Sequence, residues 1–139
     1  MSAIGTRLLT LTIDGDDATA EVSTCKIVSA ETDSDFVSFA DAAAGGGREY
    51  SLALTFVQDL ATGALFDQLW SHAGDEVPFV INPYGNAVAT AAQPHISGTA
   101  IISEPDGDML GGDADASPSN RFVTEVEWKC TEKPVKVIA

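Results

Sequence analysis

The chain has 139 residues, of which 21 are acidic and seven basic, for a net charge of −14. Such a length suits one domain, here residues 1–139 as a whole, and Leu, Ile, Val and Phe supply 34 residues, above the roughly one-fifth below which a highly charged chain stays disordered. The acidity excludes a grip on duplex DNA through its phosphates, which takes clustered Lys and Arg to release counterions, and apolar runs of only a few residues exclude a spanning helix of ~20 residues. Residues 1–5 lack a charged-then-apolar leader, so the reading is a soluble chain made in the cytoplasm with no membrane partner.

In chain order, residues 8–13 alternate, with Leu9, Leu11 and Ile13 on one face, and a turn follows at Asp14 and Gly15. A second strand covers 21–29. In the third, Tyr50, Leu52, Leu54 and Phe56 share one face and Ser51, Ala53 and Thr55 the other, the period of two of a half-buried sheet. Residues 64–72 pair Leu65 with Leu69 and Phe66 with Trp70, four apart as on a helix, with Thr62 as N-cap and Gly74 as the left-handed C′ residue. Further strands are expected at 77–81, 95–102 and 121–129. In the last of these, Phe122, Val126, Trp128 and Cys130 would face inward, with Val123, Glu125, Glu127 and Lys129 opposite. Six or seven strands and one helix make the class mainly β, a β-sandwich or partial barrel with one flanking helix.

Three segments sit outside this pattern. Residues 30–48 have no period but carry Phe36, Val37 and Phe39, which a solvated loop has little reason to expose, so the segment is expected to dock on something. Residues 105–120, rich in Gly, Asp and Ser, read as a solvated turn. Residues 133–139 read as an arm, or an edge strand seeking a partner, through Val135, Val137 and Ile138.

Candidate chemistry is sparse. Cys25 and Cys130 lack metal-ligand spacing and read as buried thiols, with an inter-strand disulfide as the alternative. Counted as a calcium loop from Asp106, the fifth position is Leu110 and the twelfth Ser117, where oxygen ligands are required. His72 suits a helix end. His95 and Ser97 share a strand face, but no nucleophile elbow or oxyanion hole accompanies them, and Gly45, Gly46 and Gly47 lack the Lys of a phosphate loop. Trp70 and Trp128 both fall at inward positions rather than forming a sugar platform. No catalysis, metal or cofactor is expected.

The ordered segments carry more than any single motif. Asp14 and Gly15, the stretch 33–42 containing Phe36, Val37 and Phe39, and a Gly-rich step into Tyr50, Leu52 and Leu54 come first. Gln58, Asp59 and Leu60, then 65–70, 73–79 and 94–98 follow, and Phe122, Val126, Glu127 and Trp128 close the set, with Gly112 ahead and Lys133 and Pro134 behind. This order, from residue 8 to 137, resembles the major tail tube protein of long-tailed, non-contractile (siphovirus-type) bacteriophages, without the appended immunoglobulin-like domain that many of them carry. The resemblance implies a homohexameric ring in which each subunit adds a four-stranded sheet to an inner barrel. Rings stack into the virion's tail tube, whose lumen conducts DNA during ejection without specific binding.

On that resemblance, the half-polar strands present Ser51, Thr55, Glu125 and Glu127 to an acidic lumen. Phe36, Val37, Phe39 and Arg48 in the 30–48 loop, and Val135 and Val137 in the arm, make inter-subunit or inter-ring contacts. Partners are the chain itself, the tape measure protein and the tail terminator. Residues 1–120 carry −15 and the last 19 residues +1, which suits the tail to approach an acidic neighbour. From a different class, a small acidic calcium- or carbohydrate-binding β-sandwich module is the alternative.

Overall fold

In the computed structural model, which describes residues 3–31, 36, 38–43 and 48–138, eight strands and two short helices follow one another along the chain. One sheet has five strands in the order β2 (Asp16–Asp17), β1 (Thr10–Ile13), β5 (Glu76–Asn82), β6 (His95–Ile101) and β8 (Val135–Val137). The other has three, β3 (Val22–Glu31), β4 (Arg48–Val57) and β7 (Val123–Lys129). Every pairing is antiparallel. The sheets join at one corner, where Cys130 bridges to Ala100 and the Thr131 N–H donates to the Thr99 carbonyl at 3.0 Å. The fold is therefore mainly β, two antiparallel sheets packed as a sandwich.

Alternation sets the inward faces. Leu11 and Ile13 of β1, Leu52, Leu54 and Phe56 of β4, Val77, Phe79 and Ile81 of β5, and Val126 and Trp128 of β7 are all buried. Each large side chain taken from water contributes about 1.5–3 kcal/mol. Phe56 lies between Phe66 and Trp128, 6.4 Å from each ring at tilted angles, a favoured aromatic geometry. The Trp128 indole N–H donates to the Ser103 carbonyl at 3.1 Å, so its one polar atom is satisfied. Gly98 lets β6 pass over the Phe79 ring: a Cβ there would lie 2.8 Å from Phe79 Cζ.

The helix α2 (Leu65–Ser71) buries Leu65, Phe66 and Leu69. Thr62 is not its N-cap. That position is Ala64, which offers no side-chain acceptor; instead Glu21 reaches over to accept from the Leu65 N–H at 3.3 Å, and Asp67 accepts from Gly63 at 3.4 Å. Gly74 does take a positive φ of 99°, but two residues past the C-cap His72 rather than one. Trp70 is half exposed, not inward, because it lies about 100° round the helix from Leu69, and it leans on Phe66 with ring centroids 6.3 Å apart.

At the start of β7 the expected inward Phe122 is also half exposed. It precedes the strand and rests on Gly112, where a Cβ would lie 2.8 Å from the ring. Its place inside is taken by Thr124, whose hydroxyl donates to the Met109 carbonyl at 2.9 Å. The periodless 30–48 stretch is shorter than the sequence suggests, since β3 runs to Glu31, β4 begins at Arg48, and a five-residue helix α1 (Phe39–Ala43) lies between. The C-terminal arm finds its partner in its own chain: β8 pairs with β6 through His95↔Val137 and Ser97↔Val135.

Candidate interaction surfaces

The three-stranded sheet covers the core with one face and turns the other to solvent. Register fixes that outer face row by row: Val28, Ser51 and Lys129; Lys26, Ala53 and Glu127; Thr24, Thr55 and Glu125. The four residues expected to line a lumen, Ser51, Thr55, Glu125 and Glu127, thus share one face and are contiguous. Small side chains on β4 keep the middle row low, while β7 alternates strictly between buried and exposed. Lys129 lies on this face as expected, and two further features of it were missed from the sequence: Lys26, and Glu49, which accepts from Lys129 Nζ at 3.1 Å. With three carboxylates and two ammonium groups, the face is mixed in charge rather than simply acidic. The sheet also has three strands where the resemblance implied four. Both of its outer strands, β3 and β7, pair within the sheet on one side only.

The residues expected to make contacts between subunits fall at separate places. Phe36 and Phe39 are 76% and 98% exposed, so neither plugs the core of its own subunit. Val37 lies outside the described residues. Arg48 is held by its own chain, donating from Nε and Nη2 to Ser29 Oγ at 3.2 and 2.8 Å, which ties the base of the β3–β4 pair. Val135 is exposed and Val137 partly buried on β8.

His72 Nδ1 meets Asp75 at 3.3 Å on the surface, and His95 Nε2 faces the Asn86 carbonyl and Oδ1 at 3.2 and 3.3 Å. His95 thereby braces the loop after β5. Cys25 and Cys130 are free thiols; Cys130 is buried as expected, whereas Cys25, on the outer strand β3, is only partly so. Burial pushes Cys25 up to about 11 and Cys130 in the same direction, so both stay protonated and poorly nucleophilic at neutral pH. Among the described residues no group of three or more His, Cys, Asp or Glu could hold a metal ion, and no helix is long and apolar enough to cross a membrane.

Against this geometry, comparison with protein-family models and with curated proteins returns no match.

Proposed function

We propose that the chain is a structural virion subunit whose hexameric rings stack into a phage tail tube through which DNA passes. The observation that carries the reading is the three-stranded sheet: one face buried, one face of small, polar and charged residues open to solvent, and strand pairing on only one side of β3 and of β7. A sheet with two such edges is a template for further pairing. In the proposed ring, β3 of one subunit adds to β7 of the next, and Ser51, Thr55, Glu125 and Glu127 face the lumen. With Lys129 and Glu49 beside them, and Lys26 only at the β3 margin of the face, these residues leave the wall net negative, so it presents no cationic track on which phosphates would stall. Exposed Phe36 and Phe39 supply apolar contacts beyond the ring. The tape measure protein and tail terminator are partners on the same reading.

Sedimentation velocity across a concentration series tests the assembly. Species at six times the 14.5 kDa chain and above are expected. A monomer at every concentration would overturn the reading.

A further inference from the structure

The strand directions sort the connections into two ends. Since β1, β6 and β4 run one way and β5, β7 and β3 the other, one end receives residues 14–15, 58–75 and 102–122. Among the described residues, the opposite end receives 3–9, 36, 38–43 and 83–94. Their charges differ sharply. Among the described residues, the first end holds nine carboxylates and a single base, Arg121, and the second holds Asp41 and Arg7. On the acidic end the 102–122 loop stands out, with Glu104, Asp106, Asp108, Asp113 and Asp115 all exposed.

On this −14 chain, a groove of about 360 Å³ has the other sign. It runs between residues 5–9 and the first half of β3, and is lined by Arg7 and Lys26 with the hydroxyls of Thr6, Ser23 and Thr24. Both cations are exposed, and among the described residues neither makes a hydrogen bond or ion pair. Two unpaired cations beside donor hydroxyls suit a carboxylate-rich segment, and the 102–122 loop is the most acidic exposed segment of the same chain.

We propose that the 104–115 loop of a second copy seats in the Arg7 and Lys26 groove, joining copies head to tail. Because groove and loop lie on different parts of the subunit, the contact is heterologous, and its repetition carries assembly past a pair, into an open stack where the rotation does not close. The proposal rests on the tube reading and names a contact by which one ring meets the next. Its charge pairing also gives polarity: acidic end against acidic end is repulsive, acidic end against groove is not.

Charge reversal of the full-length chain tests it, read by sedimentation velocity at moderate salt. Arg7→Glu with Lys26→Glu, and separately Asp106→Lys with Asp108→Lys, should each raise the concentration needed for stacking by about tenfold or more, since each sets like charges against one another. The four changes combined should restore it. Circular dichroism of each variant checks that these exposed substitutions leave the fold unchanged. If either reversed pair stacks as the unmodified chain does, or if the combination fails to restore stacking, the contact is overturned while the tube reading stands. An unmodified chain that never self-associates overturns both.

Discussion

Gln58 and Gly111 pair through a side chain as two strands pair through their backbones. Gln58 Oε1 accepts from the Gly111 N–H at 2.7 Å, and its Nε2 donates to the Gly111 carbonyl at 3.3 Å and to the Val123 carbonyl at 3.2 Å. Gly111 has a φ of 93°, open to glycine but strained for other residues. One amide thus ties the acidic loop to the end of β4 and the start of β7.

Gln58→Ala removes all three bonds while leaving the strands intact. With a net contribution of about 0.5–1.5 kcal/mol per bond, we expect a loss of about 1.5–4.5 kcal/mol and a fall in Tm of several degrees. Exchange protection of the Gly111 amide should fall as well. Unchanged protection at Gly111 would show that the loop is held by something else.

Two glycines face aromatic rings at the same distance, yet substitution should cost different amounts. A Cβ at Gly98 would lie 2.8 Å from Phe79 Cζ and one at Gly112 2.8 Å from Phe122 Cδ1. Phe79 is 1% exposed and has nowhere to go, whereas Phe122 is 47% exposed and can swing outward. Gly98→Ala should cost about 1–3 kcal/mol by overpacking, and Gly112→Ala well under 1 kcal/mol. Urea denaturation of the two variants checks the order; equal losses would mean that Phe122 is fixed as firmly as Phe79.

The raised thiol of Cys25 has a signed consequence for pH. Its ordinary value is 9.0 and its folded value about 11, so between these the native state holds a proton that the unfolded chain has lost. Stability from this group is therefore complete below about pH 9 and declines as pH rises toward 11. At pH 8–9 native Cys25 should react with iodoacetamide far more slowly than in urea. Equal rates in the two conditions would contradict its partial burial on β3.

How much of this was legible in the sequence follows from the range of the forces involved. The inward faces of β1 and β4 are read from alternation because the pleat itself sets the period, whereas the apolar run of β5 shows a strand without saying which face is inward. Trp70 and Phe122 defeated the same reasoning: one sits on a helix too short for its whole apolar stripe to be covered, the other just outside a strand, on a glycine ten residues upstream. Helix α2 begins without the expected Thr62 cap because Glu21, 44 residues from Leu65, supplies the acceptor. No local rule sees that. The outer-face rows of β3, β4 and β7 depend on pairings such as Lys26↔Ala53 and Ala53↔Glu127, so the mixed charge of this face emerges only once the register is known. The Arg7 and Lys26 groove, likewise, joins residues 19 apart.

Salt should act on assembly in two directions. Subunits at −14 repel one another over about 30 Å at 0.01 M but only about 8 Å at physiological ionic strength, so association should rise between these conditions. At molar salt, where screening reaches about 3 Å, the carboxylate contacts to Arg7 and Lys26 should weaken and light scattering should fall again. A steady decline from the lowest salt upward would show that attraction between charges outweighs repulsion at every range.

The most direct measurement is negative-stain electron microscopy of the purified full-length chain, concentrated at moderate salt. Six-fold rings seen end-on and hollow tubes of stacked rings are the expected images. A field of separate 14.5 kDa particles at every concentration, with neither rings nor tubes, would contradict the assignment as a tail tube subunit.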